Sequence, residues 1–258
     1  MAMKAVIYPG LALAMALASP AGADEVRHRT DYTIALAGLP VAKASFSTVV
    51  DSRRYTISGD IRSAGLADLI TTITAKTTVN GTLQTNRLQA QDFVLDYTSG
   101  KRSRLYTATF RDGNVVSNSI RPEPKRDPKA WVPVLARDLR SVLDPISGLI
   151  FPTKVRVCPR TLPIFDGESR MDLVLSQKGQ RPFSTRGFKG ETLVCGVRYV
   201  PKSGYKKGRK DIDYLRNSKA MEIWFAKADA VGVYAPVYVK IPTQYGMLTI
   251  SAVRFGDG

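Results

Sequence analysis

Few side chains in this sequence have the type and spacing that catalysis needs. Ser203 and Lys206 fit S-x-x-K, in which a lysine one helical turn after a serine activates the serine hydroxyl as a nucleophile. The S-D-N and K-T-G elements that accompany this motif are absent from the sequence. The G-x-S-x-G, H-E-x-x-H and G-x-x-x-x-G-K-S/T patterns are absent as well. We therefore assign no catalytic residue and expect Ser203 to lie on a mobile surface.

Acid–base groups are also sparse. The sole histidine, His28, lies just beyond the signal peptide predicted below, where a chain terminus is usually loose, so we expect it to be exposed. Two carboxylate pairs, Asp211 with Asp213 and Glu168 with Asp172, each fall on one face of an alternating strand. Nothing in the sequence predicts the burial that would bring their pKa into a catalytic range. A non-enzymatic protein is the leading interpretation, and an enzyme that acts on peptidoglycan or another glycan is the alternative.

The most informative polar feature is a basic segment from Pro201 to Lys210. Its cations are interleaved with a tyrosine and glycines, which indicates a mobile surface loop: Lys202, Lys206, Lys207, Arg209 and Lys210. We interpret these residues as a contact for anionic lipid or glycan head groups, where each cation contributes about 1 kcal/mol near the surface. A merely solvated loop is the alternative.

The first 23 residues have the three parts of a cleavable secretory signal peptide. Lys4 supplies the charged region, residues 5–18 the apolar region, and Ala21-Gly22-Ala23 an A-x-A cleavage site. The apolar run is shorter than the roughly 20 residues of a membrane-spanning helix. We therefore predict cleavage near Ala23, a periplasmic location and no spanning segment. Loss of Lys4 lowers the formal net charge from +16 to +15. The anions that an exported basic protein meets are those of the envelope, so we expect no nucleic-acid partner.

The sequence contains two cysteines, Cys158 and Cys195. An even number of cysteines in an exported chain favours one structural disulfide. A metal site is disfavoured because the two cysteines have neither C-x-x-C spacing nor a nearby histidine. No cofactor is predicted. We place Cys158 at the end of a short strand, 155–157, and Cys195 in the middle of a strand on its apolar face.

Alternation of apolar and polar residues dominates the chain beyond residue 24 and predicts β-strands. The apolar faces include Tyr32, Ile34 and Leu36; Tyr55, Ile57 and Ile61; Phe93, Leu95 and Tyr97; Met171, Leu173 and Leu175; and Leu193, Cys195 and Val197. Three dipeptides supply the positive φ that hairpin turns need and predict antiparallel pairing: Asn80-Gly81, Asp112-Gly113 and Asp166-Gly167.

One central region departs from this alternation. Apolar residues within 133–142 recur at helical spacing, and Asp144-Pro145 has the form of a helix start for the segment up to Ile150. A further short helix is predicted through Leu215. We therefore predict a single mainly β domain, residues 24–258. Its large antiparallel sheet is curved into an open barrel or β-spiral, with two short helices between its halves.

Several of these segments resemble a bacterial family, the domain-of-unknown-function family 3108 (DUF3108). The resemblance is carried by segments 32–46 (YTIALAGLPVAKASF), 55–59 (YTISG), 143–149 (LDPISGL), 162–167 (LPIFDG) and 236–241 (PVYVKI). It implies a periplasmic β-barrel-like or β-spiral domain without established catalytic residues. It also implies a distant similarity to disulfide-bearing envelope-integrity proteins and to lipoprotein carriers whose curved sheets cradle acyl chains. No binding residue is carried over from either group.

The leading functional hypothesis is a non-enzymatic periplasmic binding or scaffolding protein that contributes to envelope integrity. It would hold a lipid, lipoprotein or peptide in the concave face of the sheet, with the basic segment aiding contact with an anionic envelope surface. Besides the glycan-acting enzyme, a purely structural partner of an outer-membrane complex stays open, and a fully packed interior would favour it.

Overall fold

The computed structural model describes residues 25–65, 68 and 71–257. The predicted signal peptide, residues 1–23, lies outside the described residues, so its cleavage stays a prediction. Most of the described chain is β-strand, as the alternating pattern predicts. The strands are β1 Val26–Leu36, β2 Leu39–Asp51, β3 Arg54–Ser63, β4 Ile73–Leu83, β5 Leu88–Ser99, β6 Arg102–Arg111, β7 Asn114–Arg121, β8 Trp131–Val132, β9 Phe151–Pro152, β10 Arg160–Phe165, β11 Arg170–Thr185, β12 Phe188–Ser203, β13 Tyr205–Lys206, β14 Met221–Ala228, β15 Val233–Thr243 and β16 Gly246–Asp257.

Fourteen strands form one antiparallel sheet. Its order is β10-β11-β12-β14-β15-β16-β1-β2-β3-β4-β5-β6-β7, with β9 paired to β15. β8 and β13 form a separate two-stranded sheet. The two end strands, β10 and β7, are not paired with each other, so the sheet is open. The predicted class, one large antiparallel sheet that does not close into a barrel, is therefore confirmed.

The sheet curls so that its distant parts share one apolar core. Phe93 of β5 and Phe110 of β6 belong to the same buried cluster as Val237 of β15 and Phe255 of β16. The tip of the long β11–β12 hairpin crosses to β16, where the Phe255 backbone N–H donates to the Arg186 carbonyl at 2.8 Å. Curling lets a sheet this wide bury its inner apolar face without a second sheet.

Two of the three predicted hairpin turns are confirmed, and one is wrong. Asp112-Gly113 joins β6 to β7, and Asp166-Gly167 lies in the β10–β11 turn. Asn80-Gly81 instead lies inside β4, at a β-bulge opposite β5. Gly81 is needed there for space, because a Cβ atom would collide with the Gln89 carbonyl oxygen and the Tyr55 hydroxyl. The chain turns at residues 84–87 instead.

The two predicted central helices are single 3-10 turns, at Ala136–Leu139 and Ser147–Leu149. Backbone hydrogen bonds to the sheet interrupt any longer helix: the N–H of Leu143 donates to Pro163, and the carbonyl of Leu143 accepts from Phe165. The predicted helix through Leu215 is confirmed as α1, Lys210–Asn217. The basic segment is more ordered than predicted, because β12 continues to Ser203 and β13 follows directly.

The predicted disulfide between Cys158 and Cys195 is confirmed, with Cα atoms 6.2 Å apart. Cys195 lies in the middle of β12 and is fully buried. Cys158 lies in the irregular segment between β9 and β10, so the predicted strand at 155–157 is wrong. The bridge ties this irregular segment, which has no ladder bonds of its own, to the middle of the sheet.

Reduction of the disulfide, or Cys158→Ser, is expected to lower the free energy of unfolding by about 2–4 kcal/mol. The physical reason is that the bridge limits the unfolded chain by closing a long loop. Denaturant unfolding followed by circular dichroism, with and without reductant, measures the change. An unchanged unfolding midpoint after complete reduction would contradict a stabilising role.

Candidate ligand-binding site

One margin of the curved sheet forms a rim, which we call the open rim. The strand pairing places Leu36, Leu39, Ser63, Ile73, Ser99 and Arg102 along it. On the other side of β1, the pairing continues the open rim through Leu248, Ile241 and Met221. The opposite margin is the far end of the sheet.

The concave face is packed toward the far end and incompletely covered near the open rim. Inward-facing side chains toward the far end are buried: Tyr55, Ile57, Val79, Phe93, Phe110 and Phe255. On the same strands, or on their neighbours, inward-facing residues nearer the rim keep part of their surface in water: Ile34, Ile61, Leu95, Tyr97 and Ile250. Covering such apolar surface is favourable by roughly 25 cal/mol per Å².

An apolar cavity of about 240 Å³ lies at this transition. Its walls are the inner faces of β1, β2, β3, β15 and β16 and one side of the central segment: His28, Thr30, Tyr32, Ile34, Ala44, Phe46, Thr48, Ile57, Ile61, Pro145, Ile146, Leu149, Ile150, Val231, Val233, Ala235, Pro236, Val239 and Ile250. An engineered protein cavity of about 150 Å³ holds benzene, so this one has room for part of a single hydrocarbon chain.

The floor of the cavity is a central segment, residues 142–150, which we call the plug. Its backbone is bonded to both ends of the open sheet. The Val142 N–H donates to the Gly113 carbonyl in the β6–β7 turn at 2.7 Å. Leu143 exchanges hydrogen bonds of 2.8 and 2.9 Å with Pro163 and Phe165 of β10. The plug thus bridges the two end strands and presents apolar residues to the cavity.

A buried polar chain fixes the conformation of the plug. The Tyr55 hydroxyl donates to Ser147 Oγ at 2.9 Å, and Ser147 Oγ donates to the Asp144 carboxylate. The other carboxylate oxygen of Asp144 accepts the backbone N–H groups of Ile146 and Ser147 at 2.9 and 2.8 Å. Asp144 therefore forms the turn at the start of the second 3-10 helix, close to its predicted capping role.

The electrostatics of this chain follow from its burial. Burial raises the pKa of Asp144, and the hydrogen bonds from Ser147 and Ile146 act in the opposite direction. Burial, and then the nearby charge of Asp144, raise the pKa of Tyr55. Tyr32 lines the cavity and donates to the Pro236 carbonyl at 2.6 Å, and burial raises its pKa too. Both tyrosines therefore stay neutral donors.

His28 does not lie on the exposed terminus that the sequence suggested. It is 5% exposed, within β1. Its ring packs edge-on against Phe255 at 4.4 Å, and Nε2 lies 3.3 Å from the Thr30 hydroxyl. The prediction fails because pairing of β1 with both β2 and β16 orders the chain from Val26 onward. Burial in that pairing makes His28 part of the cavity wall.

Ser203 is also buried, contrary to the prediction of a mobile surface. It is 2% exposed at the end of β12, and its hydroxyl has no hydrogen-bond partner among the described residues. Lys206 lies on β13 and is exposed. The two residues therefore do not stand on successive turns of a helix, which the S-x-x-K chemistry requires.

The carboxylate pairs of the alternative enzyme hypothesis have basic partners. Asp172 lies 2.7 Å from Arg170 and 3.0 Å from Lys202, and these partners hold its pKa below the usual range despite its partial burial. The remaining three carboxylates pair as Glu168 with Arg126, Asp211 with Arg209 and Asp213 with Arg216. Each of the four carboxylates therefore has a basic partner of its own.

The five predicted cations divide into two groups. Lys202 and Arg209 are used in ion pairs with Asp172 and Asp211. The other three are exposed on β13, the following turn and the first residue of α1: Lys206, Lys207 and Lys210. Sequence reasoning could not separate the two groups, because the ion pair of Lys202 joins residues far apart along the chain, on the paired strands β11 and β12.

Tertiary pairing adds two lysines that the sequence analysis missed. β13 pairs with β8, with Lys206 opposite Trp131. Lys207 Nζ donates to the carbonyl oxygen of Lys129 at 3.2 Å. We call the resulting surface the basic patch: Lys125, Lys129, Lys206, Lys207 and Lys210. Within the described part of the chain, none of these five lysines forms an ion pair. The patch follows the end of β12, at the same margin of the sheet as the open rim.

The described residues contain no group of three or more His, Cys, Asp or Glu side chains that could hold a metal ion. None of their helices has the length and apolar character needed to cross a membrane.

The raised pKa of Asp144 predicts a pH-dependent contribution to stability. The native protein binds this proton more tightly than the unfolded chain does. The contribution of Asp144 therefore falls as pH rises from its ordinary value of 3.8 through the raised native pKa. We expect the unfolding free energy of wild type minus that of Asp144→Asn to decrease as pH rises from about 4 through the raised native pKa, measured by denaturant unfolding. Ser147→Ala removes a hydrogen bond that lowers the pKa of Asp144. The decrease in stability should therefore extend to higher pH in this variant. A pH-independent difference would contradict the prediction.

Comparison with known proteins identifies a family. The family model described as "Protein of unknown function (DUF3108)" matches residues 31–253. No curated protein matches the chain. Among solved structures, the chain is similar to a β-barrel-like protein of domain of unknown function DUF1849 from Brucella abortus. The two are 11% identical with a TM-score of 0.51, over 90% of this chain and 98% of that one, and at this identity the likeness concerns the fold alone. The family match covers most of the sequence, and the chain therefore belongs to the DUF3108 family of proteins of unknown function.

Proposed function

We propose that this protein is a non-enzymatic binding protein of the periplasm that contributes to envelope integrity. It holds a single hydrocarbon chain of a lipid or lipoprotein in the apolar cavity. The observation that supports this proposal is the change along the concave face from a packed core to a lined, unfilled cavity. A purely structural partner of an outer-membrane complex would have a fully packed interior.

The cavity wall selects for the chemistry of the ligand. The lining side chains are mostly aliphatic or aromatic, and the Tyr32 hydroxyl is already bonded to the Pro236 carbonyl. A polar group placed there would lose its bonds to water without finding new ones, which disfavours its entry. The size of the cavity, about 240 Å³, suits one chain and not the two chains of a phospholipid.

The basic patch indicates which side of the protein would face an anionic surface. Five lysines without ion pairs in the described chain stand at the margin where the concave face opens. Anionic lipid head groups or other envelope anions would be attracted to this margin, by about 1 kcal/mol per lysine at a membrane surface. The protein would thus meet an anionic surface with its open rim and accept an apolar chain from that side.

Ile250→Trp is expected to block the cavity. Ile250 is half-buried and lines the cavity, so a larger ring would occupy the space of the ligand. We expect at least about tenfold weaker binding of lauric acid, measured by displacement of a fluorescent fatty acid.

The matched control for this variant is Val253→Trp, on the outer face of the same strand. Val253 is 48% exposed and does not line the cavity. The control should bind lauric acid like the wild type. If circular dichroism shows that both variants are folded and Ile250→Trp binds lauric acid as tightly as Val253→Trp, the proposed site is refuted.

Replacing Lys206, Lys207 and Lys210 together by Gln is expected to weaken binding to anionic vesicles. Each substitution removes an exposed charge that is free of ion pairs, so flotation with phosphatidylglycerol vesicles should decrease, most clearly at low salt. The control carries the same charge change at exposed residues toward the far end of the sheet, where Arg53, Lys154 and Lys189 are replaced by Gln. If both triple variants lose binding equally, net charge and not the basic patch governs the contact.

A further inference from the structure

A second cavity flanks the plug, at the far end of the sheet. It has a volume of about 280 Å³ and lies between the plug, the start of β5 and the start of β10. The two cavities touch different plug residues, apart from Ile150. The apolar cavity faces Pro145, Ile146 and Leu149, whereas the second cavity faces Leu143, Ser147 and Gly148.

The second cavity differs from the first in charge. Two arginines line it, Arg87 from the β4–β5 turn and Arg160 from the first position of β10. Asn86, Ser141 and Thr161 contribute further polar groups to the wall. Among the described residues, no aspartate or glutamate lines the cavity. The nearby carboxylate of Asp144 is directed to Ser147 and to the N–H of Ile146.

The described residues offer neither guanidinium a carboxylate partner. In the described part of the chain, no ion pair includes Arg87 or Arg160. Arg160 is half-buried over the ring of Phe151, at 5.2 Å from its centroid. Burial lowers the pKa of Arg160 and is the only cause of that shift. A partly buried cation that pairs with no carboxylate of the described residues has lost hydration that a bound anion would replace.

Arg87 is held in place by its own turn. Its Nε donates to Gln84 Oε1 at 3.3 Å, and Gln84 N–H donates to the Arg87 carbonyl at 2.9 Å. Both terminal nitrogens of Arg87 lie beside Gly113, 3.9 Å from where a Cβ atom would stand. The Arg87 guanidinium is therefore positioned before any ligand binds. No carboxylate of the described residues forms an ion pair with it.

We propose that this second cavity is a binding site for a phosphate monoester, held between the guanidinium groups of Arg87 and Arg160. A phosphate monoester carries close to two negative charges near neutral pH, which matches two guanidinium groups. A carboxylate would compensate only one of them. Planar guanidinium forks donate two parallel hydrogen bonds to phosphate oxygens, and hydroxyl and amide groups on the wall complete the coordination. The site does not depend on the proposed binding of a hydrocarbon chain.

Isothermal titration calorimetry of the purified full-length protein tests this site. The probes are glycerol 3-phosphate, inorganic phosphate and acetate, at constant ionic strength. We expect the two phosphates to bind at least about tenfold more tightly than acetate. Arg87→Gln and Arg160→Gln should each weaken phosphate binding by about tenfold or more, because each removes charge-assisted hydrogen bonds.

The control is Arg156→Gln. Arg156 is exposed, lies in the irregular segment between β9 and β10, and does not line the second cavity. This variant removes the same charge and should leave phosphate binding unchanged. If Arg156→Gln weakens binding as much as Arg160→Gln, the attraction is general and the site is refuted. Arg160→Gln also removes the contact with the Phe151 ring, so Arg87→Gln, on a surface turn, provides the independent variant. Unchanged phosphate binding by folded Arg87→Gln would also refute the site.

The phosphate group can belong to a soluble ester or to a membrane lipid. Flotation with phosphatidylcholine vesicles that contain phosphatidate, a monoester, or phosphatidylglycerol, a diester, distinguishes these sources. A preference for phosphatidate that Arg87→Gln abolishes indicates a lipid source. Binding of glycerol 3-phosphate without that preference indicates a soluble one. If neither monoester binds better than its comparison probe, the site is refuted.

Discussion

An open antiparallel sheet must satisfy its two end strands, and in this protein the plug does so. β7 and β10 are the ends of the sheet order and do not pair with each other. Val142 is bonded to the turn that precedes β7, and Leu143 exchanges two backbone hydrogen bonds with β10. Exposed strand edges invite pairing with other chains, so a segment that spans the gap limits that risk. Both cavities lie against this bridge.

The plug is held from within by a buried carboxyl group, which is unusual in a protein core. Asp144 is 1% exposed, yet its carboxylate accepts bonds from two backbone N–H groups and one hydroxyl. Burial of a carboxylate is costly unless its oxygens are satisfied in this way. The hydroxyl of Tyr55 extends the chain of hydrogen bonds to β3. The turn of the plug is thereby attached to the sheet wall by directional bonds as well as by apolar packing.

The plug separates two chemically different spaces. On one side, aliphatic residues of β1, β2, β3, β15 and β16 leave an apolar cavity near the open rim. On the other side, Arg87 and Arg160 leave a cationic cavity at the far end. The division follows from the two faces of the plug. Ile146 and Leu149 line the apolar cavity, whereas Ser147 and Gly148 line the second cavity. One short segment thus sets the chemistry of both candidate sites.

The fold class was predictable because the alternation of apolar and polar residues is a local property. It placed Tyr55, Ile57 and Phe93 correctly in the core, and the confirmed turn at Asp112-Gly113 has a similarly local cause. The dipeptide Asn80-Gly81 misled because a bulge and a tight approach to Tyr55 also require a glycine. A hairpin turn and a site of close packing can both require a glycine, so the sequence does not distinguish them.

The sequence by itself determined an antiparallel β protein with one disulfide, and it indicated a basic surface around Lys206, Lys207 and Lys210. Only the tertiary structure decided that His28 is buried, because that burial depends on pairing between the first and last strands. The same holds for the two cavities. Arg87 and Arg160 line one cavity only because the sheet curls around the plug, and their separation along the chain leaves no periodic signal.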